Sequence, residues 1–204
     1  MDPRLKHPFS CVIAGPSGCG KTNFTLNLVK NVDSLVVPVP TKIMWYYSEW
    51  QEEYKDIQAE FIEGMPKVTD FDRDTPKLVV VDDWMGKCDE VVSQLFTKIS
   101  HHRNLSVVYI TQHLYNSSKE NRTINLNAGY LILFKTPRDS SVIIHLSRQI
   151  YPGRGKILQE AFRDSTSKPF GYLLIDLKPD TPDNLRLRTN ILPGEQQVVY
   201  VPKI

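Results

Sequence analysis

Short apolar runs recur along the chain, and each stops abruptly at a small or polar residue. Phe9 to Ala14 ends at Gly15, Leu78-Val79-Val80-Val81 at Asp82-Asp83, Leu105 to Ile110 at Thr111-Gln112, and Tyr130 to Phe134 at Lys135. Unbroken runs of β-forming residues mark strands covered on both faces, as in parallel sheets. Ile43 to Tyr47 is a fifth such run. Between these runs the apolar spacing turns helical. Phe24, Leu26, Leu28 and Val29 lie in a helix over about 20–31 that Asn31 and Asp33 end; Val91, Val92, Leu95, Phe96 and Ile99 share one side of a helix over Asp89–Ser100. Ser140–Ile150 forms another helix, and Ser48 is placed to cap one through Gln51–Phe61. Val36–Thr41, with Pro38 and Pro40, is a connecting loop. Thr69–Lys77 and Ser117–Asn127 are polar connections. Strand–helix alternation over the first 150 residues predicts an α/β fold, a doubly wound and mainly parallel sheet flanked by helices.

The tail follows a different pattern. Gly153–Phe162 is helical and Gly171–Leu177 a strand, while Leu185–Arg188 alternates apolar and basic residues, as a strand with one wet face does, running on toward Leu192. Too little chain separates these strands for a parallel crossover, so they add antiparallel to the sheet edge. The expected organisation is a single domain over 1–204, with a core of about 9–150 and C-terminal edge elements over about 151–204.

The chemistry begins where the first strand meets the first helix. Gly15-Pro16-Ser17-Gly18-Cys19-Gly20-Lys21-Thr22 is G-x-x-x-x-G-K-T in the context the motif requires, strand then loop then helix. Its glycines let backbone N–H groups converge on a phosphate, and the helix aims its positive end at the same point. Gly15 through Asn23 are therefore the expected nucleotide contacts, with Lys21 on the β- and γ-phosphates and the Thr22 hydroxyl on Mg²⁺. In a parallel sheet the strand C-termini share one edge, where ligands bind. Asp82 is then the Mg²⁺-holding carboxylate and Asp83 the group that orients the attacking water, although aspartate is one methylene shorter than the usual glutamate. Gln112 is placed to sense the γ-phosphate or position that water. Transfer of a phosphoryl group also asks for a finger arginine; Arg122 is the first candidate, followed by Arg103, Arg138 and Arg148.

Composition narrows this little. Of the 204 residues, 41% are hydrophobic and 24% charged, which is ordinary for a globular chain, and a net charge of +2 announces neither nucleic acid nor membrane. The three cysteines, Cys11, Cys19 and Cys88, show no C-x-x-C spacing and suit a reducing compartment. Cys19 occupies a free position of the loop motif. His101-His102, His113 and Cys88 match no zinc spacing. Trp45, Tyr46, Tyr47 and Trp50 could stack on bases, but fit better as core and edge packing. No signal peptide and no apolar run of ~18 residues is present, so a soluble intracellular protein without a membrane partner is expected.

Taken together, GPSGCGKT, LVVVDDW and VVYITQ resemble the FtsK–HerA branch of P-loop ATPases, specifically viral genome-packaging ATPases of the poxvirus type. NRTINLNAGYLILFKTPRD, LSRQIYP and SKPFGYLLIDLKPDTPDNLRLRTNILPGE are most similar to packaging ATPases of Polinton-like elements and adintoviruses. The resemblance runs from Phe9 to about Glu195. It implies a RecA-like P-loop NTPase of the additional-strand catalytic-acid class, using ATP and Mg²⁺. It also implies a homo-oligomeric ring of five or six subunits that drives double-stranded DNA into a preformed capsid, at a capsid or portal vertex. The work would take place in the nucleus or a cytoplasmic virus factory of a host cell, with the protein transiently or stably on the virion. Lys21, Thr22, Asp82 and Asp83 become the ATPase residues and Gln112 the sensor, while the Asp-Asp pair departs from the wider Asp-Glu pattern. Two rivals remain: GPSGCGK also resembles the loop of guanylate kinase, and a nucleotide-binding switch would need no turnover.

Overall fold

Nine strands hydrogen-bond into one sheet in a computed structural model that describes residues 2–82, 89–99, 103–137 and 140–202. In chain order the described elements begin with β1 (Leu5–Lys6), β2 (Ser10–Ala14), α1 (Lys21–Lys30), α2 (Val32–Leu35), β3 (Val36–Val37), β4 (Lys42–Tyr47), β5 (Glu60–Glu63) and β6 (Lys77–Asp82). They continue with α3 (Asp89–Gln94), β7 (Leu105–Thr111), α4 (Lys119–Asn127), β8 (Tyr130–Phe134), α5 (Ser141–Ile150), α6 (Lys156–Ser165), β9 (Tyr172–Asp176), β10 (Leu187–Thr189) and β11 (Val198–Tyr200). The sheet runs β11-β10-β9-β8-β2-β7-β6-β4-β5. From β8 to β5 every pairing is parallel, and β9, β10 and β11 join antiparallel. The sheet thus contains both the alternating first part and the antiparallel tail that the sequence predicts. β1 and β3 form a small separate parallel pair.

The apolar runs are strands because both faces are covered. Val79, Val80 and Val81 are fully buried. With a side-chain period of two, Cys11, Ile13, Leu78, Val80, Val108 and Ile110 pack with Phe24 and Leu28 of α1. Their neighbours Val12, Ala14, Val79, Val81, Val107 and Tyr109 pack with Val92, Ile124, Leu146 and Leu158 from α3 to α6. Among the described residues no helix is long and apolar enough to cross a membrane.

Several expectations are corrected. The helix expected over Gln51–Phe61 is a 3₁₀ turn, Glu52–Asp56, followed by β5. Tyr54 is buried there, and Phe61 stacks on it at 5.0 Å, so aromatic packing against β4 wins over helical periodicity. The polar connection Ser117–Asn127 contains α4. Its few buried residues hide it from pattern reading, and hydrogen bonds hold it: the Ser118 side chain accepts from the Asn121 N–H, and Asn125 Nδ2 donates to the Leu114 carbonyl at 2.6 Å. The expected loop at 36–41 begins as β3, and the helix after Asp89 passes into a π turn at Leu95–Ile99.

The wet face expected on the strand around Arg188 is buried instead. Arg188 is 3% exposed, and its Nη2 donates to Asp176 Oδ2 at 3.0 Å, while Nη1 donates to the Pro3 carbonyl. Desolvation pulls the Arg188 pKa down and the Asp176 charge opposes this. A buried pair is costly mainly when broken, because the surviving charge has no partner. Asp176→Ala is therefore expected to lower stability by roughly 3–5 kcal/mol, read from the urea midpoint. A midpoint unchanged from wild type would contradict this assignment.

Candidate nucleotide-binding site

Register decides what can meet at the sheet edge. Ile13 of β2 stands opposite Ile110 of β7, which stands opposite Asp82 of β6. One residue on, Ala14 lies opposite Thr111, and the Gly15 N–H donates to the Thr111 carbonyl at 3.3 Å. Asp82 is thus level with the last turn of β2, two strands and about 10 Å away at normal strand spacing. The intervening β7 is the additional strand. By alternation Asp82 shares the face of Leu78 and Val80, the face α1 covers. It is 5% exposed, and the buried Tyr54 hydroxyl donates to its Oδ2 at 2.8 Å. Burial, then the Asp82 charge, pushes the Tyr54 pKa up, so the phenol keeps its proton.

The loop is shaped by its glycines. Gly18 and Gly20 have φ of 75° and 102°, left-handed conformations that favour glycine. A Cβ on Gly15 would stand 2.7 Å from both Cys19 Sγ and Phe134 Cβ, so the loop closes tightly on the end of β8. Cys19 therefore packs the loop, and its burial pushes the thiol pKa up while Lys21 opposes the shift. Pro16 offers its carbonyl to the Cys19 N–H, and Ser17 is exposed at the tip. The Gly20 carbonyl accepts the first bond of α1 from the Phe24 N–H at 2.9 Å. Lys21 is 7% exposed and lies across the loop, donating to the Gly15 and Pro16 carbonyls at 2.8 and 3.0 Å.

Gly18, Gly20, Lys21, Thr22 and Asn23 line a pocket of about 170 Å³. Gln51 and Glu53, after β4, and Phe170, before β9, complete the lining from opposite flanks of the loop. The sequence reading did not single out these three. Tyr54, next to Glu53, anchors that segment to Asp82, a contact that no local pattern marks. Gln112 follows β7 and borders an adjacent cavity of about 40 Å³, which touches Gly15 and Phe134. Trp45 and Tyr46 are fully buried, as core packing requires, and Trp50 is half exposed against Tyr47 and Tyr54.

Of the candidate arginines, Arg103, Arg122 and Arg148 are not among the residues lining this pocket. Arg103, just before β7, is at the opposite end of that strand and donates to the carbonyls of Val68 (2.7 Å) and Phe71. Arg122 of α4 and Arg148 of α5 border a groove of about 950 Å³ between those helices. Asp83, Arg138, Cys88, His101 and His102 lie outside the described residues. Among the described residues no group of three His, Cys, Asp or Glu side chains could hold a metal ion. Thr22 and Asp82 each offer an oxygen of the kind Mg²⁺ takes alongside phosphate.

No family model matches the chain, and no curated protein matches it in sequence. Solved structures do. The DNA-packaging ATPase from Sulfolobus turreted icosahedral virus is similar with a TM-score of 0.54 at 12% identity, over 97% of this chain and 100% of that one. The genome packaging NTPase from Sulfolobus turreted icosahedral virus 2, in complex with AMPPCP, gives 0.55 at 12%, over 96% and 98%. The cytoplasmic domain of the type VII secretion ATPase EccC from Thermomonospora curvata gives 0.52 at 10%, over 94% of this chain and 25% of that one. What is shared at these identities is the fold: a largely parallel sheet between helices, with antiparallel C-terminal edge strands, the architecture of a RecA-like P-loop NTPase.

Proposed function

We propose that this chain is an ATP-hydrolysing motor that moves double-stranded DNA into a preformed viral capsid. The observation that carries the reading is the arrival of the Gly15–Thr22 loop and Asp82 at one edge of parallel strands, on the face covered by α1. The loop N–H groups and the start of α1 hold the phosphates, and Lys21 adds positive charge where the β- and γ-phosphates lie. Thr22 and Asp82 would hold Mg²⁺, which would supply charge neutralisation at the phosphates. Tyr54 fixes the Asp82 carboxylate, and Asp83, next in sequence, orients the attacking water. Gln112, at the end of the additional strand, senses the γ-phosphate.

Translocation of DNA is supported by the end-to-end likeness in fold to two packaging enzymes and by the sequence resemblance over Phe9–Glu195. In this reading the chain works as a homo-oligomeric ring of five or six at a capsid or portal vertex within an infected host cell. A single domain carries both hydrolysis and DNA movement. Arg122, exposed on α4 and not among the residues lining the loop pocket, serves a neighbouring subunit as the finger in this reading. A net charge of +2 suits a translocase, because each added phosphate contact strengthens salt-sensitive grip and slows release.

ATP hydrolysis measured with and without duplex DNA is expected to rise with DNA, and Lys21→Ala to lower turnover by at least ~10²-fold. No hydrolysis by wild type under any condition would contradict the motor reading, and ADP release that depends on GMP would make the chain a kinase. Asp82→Asn is expected to raise the Mg²⁺ concentration needed for half-maximal turnover, whereas an unchanged requirement would remove Asp82 from the metal. Arg122→Ala should cut turnover by ~10³–10⁵-fold with ATP binding intact, and turnover at the wild-type rate would exclude it as the finger.

A further inference from the structure

We propose that Phe170 is the platform on which the nucleobase of the bound nucleotide stacks. This rests on the nucleotide reading and adds the half of the ligand that the phosphate loop does not address.

Phe170 is 68% exposed, a large apolar side chain facing water. Its φ of 61° is a left-handed conformation that a bulky side chain rarely adopts. Neither its own burial nor its own backbone preference accounts for its position; the turn around it does. At the end of α6 the Thr166 N–H and hydroxyl both bond to the Phe162 carbonyl. The Gly171 N–H then donates to the Lys168 carbonyl at 3.1 Å, and a Cβ on Gly171 would collide with the Ser165 carbonyl. Tyr172 begins β9 opposite Phe134, the last residue of β8, and Leu133 of β8 lies opposite Ala14 of β2. The turn therefore stands at the same sheet edge as the phosphate loop.

The ring lies on the loop itself. A Cβ on Gly20 would be 3.1 Å from Phe170 Cδ1, 3.5 Å from its Cβ and 3.6 Å from its Cγ. A Cβ on Gly20 would press on the ring, which lines the pocket with Lys21, Thr22 and Asn23. Sheet order sets the polarity. Asp82 and Glu53 belong to the β6 and β4 flank of the loop, and Phe170 to the β8 and β9 flank. A nucleotide whose γ-phosphate points toward Asp82 directs its other end to the flank that carries Phe170. An exposed ring offers a π face to any base, so stacking here favours nucleotides over bare polyphosphate without selecting one base.

The test measures binding of Mg-ATP and of Mg-tripolyphosphate, which has no base, to the intact chain, to Phe170→Ala and to Phe170→Trp. Phe170→Ala is expected to weaken ATP about 5- to 150-fold, the range for one stacked base, and to leave tripolyphosphate unchanged. Phe170→Trp is expected to restore ATP affinity, with indole emission quenched by ATP and not by tripolyphosphate. ATP affinity unaltered in Phe170→Ala would overturn the assignment. Equal loss for both ligands would also overturn it, because Phe170 would then act only by shaping the loop at Gly20. A wild type that binds tripolyphosphate but gains nothing from the base overturns the assignment and leaves the phosphate site standing. A wild type that binds neither overturns both.

Discussion

Parallel register is the constraint on which the site depends. β2, β7 and β6 run in one direction and are aligned so that Ile13, Ile110 and Asp82 form one row across the sheet. A slip of one residue in β6 would turn Asp82 from the α1 face to the face covered by α3 to α6, because side chains alternate. Burial enforces the alignment. Leu78 and Val80 are fully buried on one face, and Val79 and Val81 on the other, so a slip would exchange the side chains packed on each face. Packing energy spent along the length of the sheet thus fixes the position of a single carboxylate at its edge.

The loop is held by contact as well as by conformational freedom. Gly15 is confined between Cys19 and Phe134, Gly20 admits Phe170, and Gly18 meets nothing that a Cβ would strike. Its left-handed φ supplies the reason for glycine there. Lys21, drawn over the Gly15 and Pro16 carbonyls, and Asp82, tied to Tyr54, are both held in place by hydrogen bonds. Preorganised charge is the main contribution a protein makes to phosphoryl transfer, since little covalent work falls to it.

Much of this was legible in the residues because strands buried on both faces leave unbroken apolar runs. Tyr130–Phe134 was read with its boundaries as they stand, and Ser10–Ala14, Lys77–Asp82 and Leu105–Thr111 to within a residue or two. The antiparallel tail followed from connection length alone. What was not legible depends on partners distant in sequence. The 52–56 turn follows from Tyr54 reaching Asp82 and Phe61, 28 and seven positions away. α4 is held by amide side chains that leave no apolar period, and the burial of Arg188 follows from Asp176 and the Pro3 carbonyl. The rest of the pocket lining was missed for the same reason: Gln51, Glu53 and Phe170 carry no motif, and only topology brings them to the loop.

The proposed motor requires one sheet edge to gather phosphate and metal between the loop and Asp82. A crystal structure of the chain with a non-hydrolysable ATP analogue and Mn²⁺, the metal located by its anomalous signal, tests it most directly. The β- and γ-phosphates are expected within the Gly15–Thr22 loop, and the metal on Thr22 and, directly or through one water, on Asp82. Phosphates bound outside that loop, or a metal whose coordination involves neither residue, would contradict it.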